Sequence, residues 1–118
     1  MGLQNQNLTI SNAVDIGANG PTVELNNRPT LVVSRSTAES ATKSLNLTGF
    51  QVVNFIAGVN AVLQSATLVK TASYLFVNSQ PGVVTLALDN GGQIAGQSTY
   101  VLAFGAPIKF SFDGTNLS

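Results

Sequence analysis

The residues able to do chemistry in this chain are few, and their types decide what it can attempt. The carboxylates are Asp15, Glu24, Glu39, Asp89 and Asp113, scattered along 118 residues with no His and no Cys beside them. Without His, general acid–base work at neutral pH loses its usual agent, and a Ser–His–Asp or Cys–His nucleophile cannot form. Without His or Cys a zinc site has no ligands. Asp89-Asn90-Gly91-Gly92 has the oxygen donors of a calcium loop, but a tight turn uses the same residues and is the simpler reading. A carboxylate pair for glycoside hydrolysis needs two acids brought together from distant positions, and scattered turn acids are the simpler reading again. The expectation is a chain that is not an enzyme, with no metal site and no cofactor.

The rest of the composition points the same way. Only ten residues are charged, net charge is zero, and 41 are Asn, Gln, Ser or Thr. A soluble domain normally carries about a quarter charged residues. Five scattered Lys and Arg give no basic patch for phosphates, so nucleic acid is not an expected partner. The most apolar run, 100–108, is too short for a bilayer and contains Gly105 and Pro107, so no membrane is expected either. Met1 to Asn7 shows neither the basic nor the apolar region of a signal peptide, which reads as an unprocessed soluble chain. A surface of neutral amides and hydroxyls can be covered by a partner without stripping water from ions. Near-zero net charge also removes the self-repulsion that keeps soluble proteins apart. Both features predict a protein that packs against other proteins, itself included.

The elements that position these residues read as strands. Residues 1–7 form a polar arm, and 8–118 a single domain. Period-two alternation recurs at Leu8–Ile10, Val23–Leu25, Leu45–Leu47, Thr99–Phe104 and, most cleanly, Ile108–Phe112. Ser73–Val77 and Val83–Leu88 are apolar on both faces, and Gln80-Pro81-Gly82 between them predicts a central hairpin with Gly82 at positive φ. Such strands need cover on both faces. Asn19-Gly20-Pro21, Asp89-Asn90-Gly91-Gly92 and Asp113-Gly114 punctuate the rest. Residues 50–66 also show helical spacing, but Gly58 and five β-branched residues favour strands at about 50–56 and 62–70 joined at Gly58. The eight aromatics, at strand spacing, are expected in the core. The fold predicted is all-β: one antiparallel β-sandwich of about eight short strands.

Residues 35–43 hold Arg35, Glu39 and Lys43, spaced four apart, and Ser36-Thr37-Ala38-Glu39 has capping-box form. No large apolar residue anchors a helix there, so the segment reads as a solvated loop or single turn, or as a docking loop. Ser73 to Leu88 joins high β-propensity to a complete lack of charge, an aggregation hazard that burial in intended interfaces would remove.

With the charge-poor, amide-rich composition, three segments carry a resemblance: Ser73 to Leu88 (SYLFVNSQPGVVTLAL), Asp89 to Gly92 (DNGG) and Ile108 to Phe112 (IKFSF). The chain resembles small bacteriophage virion proteins, in particular jelly-roll capsid decoration (cement) proteins and tail-tip domains. The resemblance implies a jelly-roll-like sandwich, a homotrimer, and a place on the capsid surface of the virion after synthesis in the host cytoplasm. The function expected on that footing is to bind and stabilise a capsid lattice through neutral contacts with the major capsid protein. The candidate docking residues are Gln4, Asn5, Gln6 and Asn7 of the arm and Arg35, Glu39 and Lys43 of the loop. The alternative is a receptor- or glycan-binding domain at a tail-fibre tip, using loop amides with Tyr74 or Tyr100.

Overall fold

The computed structural model describes residues 25, 27–36 and 40–118. These form eight strands in two four-stranded sheets: β1 (Thr30–Val33), β2 (Thr42–Leu45), β3 (Val52–Phe55), β4 (Asn60–Leu63), β5 (Ser73–Asn78), β6 (Val84–Leu88), β7 (Tyr100–Leu102) and β8 (Ile108–Ser111). One sheet has the order β1-β3-β5-β8 and the other β2-β4-β6-β7. From β1 to β6 the chain alternates between sheets at every strand, so each sheet receives every second strand.

The consequence is a coil. The ladders β1–β3, β3–β5, β2–β4 and β4–β6 are all parallel. Parallel neighbours need a long crossover, usually a helix. Here the crossover between two strands of one sheet is a strand of the other. Register partners Thr30, Val52 and Leu75 stand 22 and 23 residues apart, one turn of the coil each. The last two strands reverse direction: β7 pairs antiparallel with β6 and β8 with β5, closing that end of both sheets.

The all-β prediction and the strand number hold, whereas the antiparallel sandwich is corrected. Among the strand ladders of the described residues, antiparallel pairing is confined to β5–β8 and β6–β7, and the alternation between sheets is that of a coil, not of a jelly roll. The central hairpin is corrected as well. β5 and β6 belong to different sheets, and Gln80-Pro81-Gly82 turns the chain from one sheet to the other. Their double-sided apolar pattern is what buried parallel strands require. Residues 50–66 form strands as expected, but the second is corrected from about 62–70 to Asn60–Leu63, with a single 3-10 turn at Ser65–Thr67 behind it.

The core lies between the sheets. Leu31, Val53, Phe76 and Ile108 share one inward row, and Ala61, Leu86 and Tyr100 share the facing row of the other sheet. Tyr100 meets Phe110 edge-on at 5.3 Å between ring centres, linking β7 to β8 across the interior. A second, smaller cluster covers the outer face of the first sheet, where Leu25 packs with Val52 and Leu75. Tyr74, Phe55, Phe76, Phe110 and Phe112 are core aromatics, but Phe104 is 60% exposed and Phe50 half-buried, against the expectation that all eight would be interior. Alternation placed Phe104 with Tyr100 and Leu102, but β7 ends at Leu102, so the pattern no longer governs it.

Candidate functional site

The carboxylates within the described residues serve the backbone. Asp89 Oδ1 accepts the Ser65 N–H at 2.9 Å, tying the turn after β6 to the turn after β4. That bond holds the Asp89 carboxyl below the ordinary carboxylate range. Asp113 Oδ1 accepts the N–H groups of Asn116 (2.7 Å) and Thr115 (2.8 Å), which lower its pKa in the same way. Asp15, Glu24 and Glu39 lie outside the described residues. Among the described residues no three His, Cys, Asp or Glu side chains gather as a metal site would require.

The candidate docking residues are only partly placed. Gln4, Asn5, Gln6, Asn7 and Glu39 lie outside the described residues, as do the early turn Asn19-Gly20-Pro21 and the strand expected at Leu8–Ile10. Arg35 is exposed just after β1. Lys43 is not in a loop: it sits within β2, half-buried, in the inward register row of Ala61 and Leu86. A charge at an inward position of an edge strand is a known guard against edge pairing. Of the two candidate platform tyrosines, Tyr74 is 1% exposed and Tyr100 is half-buried against Phe110.

Two surface features stand out. The first is the outer face of the second sheet. Its register rows read Thr42, Asn60, Thr85, Val101 and Ser44, Val62, Ala87, without one charge. Thr85 Oγ1 donates to Asn60 Oδ1 at 3.0 Å along the first row, and Gln64 Nε2 donates to Ser44 Oγ at 3.0 Å beside the second. Each bond pairs an amide with a hydroxyl within or beside the face. Val101 is 61% exposed at its end. Before it lies the first turn of the coil, where β1 and β2 each have one strand partner among the described residues.

The second feature is a cleft of about 330 Å³ where the chain returns from the second sheet to the first. Leu47, Gly49, Phe50 and Gln51 come from the β2–β3 connection, Thr67, Val69 and Ala72 from the β4–β5 connection, Tyr74 from β5, and Arg28 from just before β1. The Leu47 N–H donates to Thr67 Oγ1, stitching the two connections together. Gln51 Nε2 donates to the Ser73 carbonyl, and the Val69 N–H donates to Tyr74 Oη at 2.7 Å. Thr71, between Val69 and Ala72, has φ +73°, an outlying conformation for a β-branched residue. Sequence patterning did not mark this cleft, since its walls come from two connections and one preceding residue that only the coil brings together.

No protein-family model, no curated protein and no solved structure matches this chain.

Proposed function

We propose that this chain is a structural virion subunit of the capsid-decoration kind, which binds and stabilises a protein lattice through neutral β surfaces. The observation that carries the reading is the charge-free outer face of the second sheet, four strands wide. Covering it strips no ion of water, the costliest desolvation, and leaves a partner only neutral amides and hydroxyls to match. Exposed Val101, Val83 and Phe104 supply apolar area to the same end. Many copies, each held weakly, stiffen a shell collectively, and self-association as a closed homotrimer would present several such faces at once.

The test is co-sedimentation of the purified chain with empty phage capsids, alongside its mass in solution. Saturable binding at a fixed ratio to the major capsid protein, by an oligomer, is the expected result. A monodisperse monomer that stays soluble at high concentration and ignores the shells overturns the proposal.

A further inference from the structure

We propose that the cleft between the β2–β3 and β4–β5 connections binds a small organic carboxylate with a flat apolar body. The inference is independent of the lattice-binding reading above, since it rests on different residues.

The charge of the ligand follows from Arg28. Among the described residues Arg28, an exposed side chain, is the only charged residue lining the cleft, and no hydrogen bond or ion pair of its guanidinium is found there. A guanidinium fork matches a carboxylate in a bidentate pair. One Arg does not balance a phosphate dianion, so a monocarboxylate fits better. Tyr74 supplies the second donor. Its hydroxyl oxygen accepts the Val69 N–H, yet its own proton has no acceptor among the described residues, although the residue is 1% exposed. A buried donor left unused is uncommon and points to a missing partner.

The body of the ligand follows from the walls. Leu47, Phe50, Val69 and Ala72 are apolar, and Val69 remains 63% exposed. A volume near 330 Å³ is at the small end of ligand cavities, which admits one ring and its substituent. Thr71, next to the lining residue Ala72, is held in an outlying backbone conformation. Here the Thr71 N–H is fixed to the Phe112 carbonyl at 2.7 Å, holding the cleft wall in place.

The experiment is an amide-resolved NMR titration of the full chain with phenylacetate, its neutral isostere phenylacetamide, and glucuronate as a hydroxylated acid of similar size. Phenylacetate should shift the Gly49, Phe50, Gln51 and Val69 amides saturably. It should bind on the order of tenfold more tightly than phenylacetamide, the ratio set by about 1.4 kcal/mol. Arg28→Gln should abolish that difference. Equal affinity for acid and amide, shifts confined to other parts of the molecule, or no saturable shift overturns the site. Glucuronate binding as tightly as phenylacetate overturns the apolar body. The comparison of isosteres uses the unaltered protein, so it decides the matter even where a variant folds poorly.

Discussion

Gly58 and Gly82 stack on one another at successive corners of the coil: a Cβ built on Gly82 would lie 3.2 Å from Gly58 Cα, and one built on Gly58 would lie 3.0 Å from the Val83 carbonyl oxygen. The contact is backbone on backbone, so neither side can yield by turning a rotamer. Gly82 does not have positive φ, contrary to the turn read from Pro81-Gly82. A Cβ there would meet the Gln80 side-chain oxygen first and then the Gly58 backbone. Gly82→Ala or Gly58→Ala should each cost about 1–3 kcal/mol of stability, read from denaturant midpoints, with the pair less than additive. Unchanged midpoints would remove the stacked corner from the account.

Asn78 is the buried polar residue of the described core, at the end of β5. Its Nδ2 donates to the Gly82 and Leu102 carbonyls, both at 3.2 Å, and its Oδ1 accepts from the backbone and side chain of Gln80. One amide thus ties the corner between the sheets to the end of β7. Asn78→Ala removes the side-chain bonds to the Gly82 and Leu102 carbonyls and should destabilise by about 1–3 kcal/mol, while Asn78→Leu should cost no less despite its larger apolar volume. Thermal unfolding of the two variants tests the order.

Asp89 and Asp113 both have lowered pKa values, caused first by the backbone N–H of Ser65 and of Asn116 respectively. A carboxyl with a lower pKa in the folded state binds fewer protons than in the unfolded chain. Its stabilisation is therefore complete above the ordinary value of 3.8 and fades as pH falls through the lower folded value. Denaturant midpoints should drop below pH 4, and the double variant Asp89→Asn, Asp113→Asn should show a shallower acid limb. An unchanged acid limb in that variant would assign the loss to other groups.

Thr85→Lys places one charge in the middle of the neutral outer face, where Thr85 pairs in register with Asn60 and Val101. Thr85 is only half-buried, so the effect on stability should stay within about 1 kcal/mol. Binding to a shell should fall much further, because the new ammonium must be desolvated or left unpaired in the contact. Co-sedimentation and thermal melting of the same sample separate the two effects, and equal loss in both would deny the face a role.

Gly92 makes the sharpest steric prediction. A Cβ there would collide with the Thr115 carbonyl oxygen, where the segment 115–118 folds back under Ile94. Gly92→Ala should displace that segment and lower the melting temperature more than either corner substitution. A melting temperature within the error of the parent would refute it.

What the amino-acid order determined by itself was local. Alternation at Ile108–Phe112 marked β8, the apolar run Tyr74–Val77 marked β5, and β-branched residues settled 50–66 as strands. The want of His and Cys excluded a Ser–His–Asp or Cys–His nucleophile, and the scarcity of charge described the outer face of the second sheet. Pairing was decided only in three dimensions. A strand apolar on both faces looks the same whether its neighbour comes from the next hairpin or from a turn 23 residues away, and the Pro81-Gly82 signal fits a corner as well as a hairpin. The turns of the coil share no motif and vary in length, so no repeat was legible. The cleft was illegible for the same reason: Arg28, Phe50, Val69 and Tyr74 meet because parallel strands stack their connections along one edge, a relation that exists between turns and in no single stretch of chain.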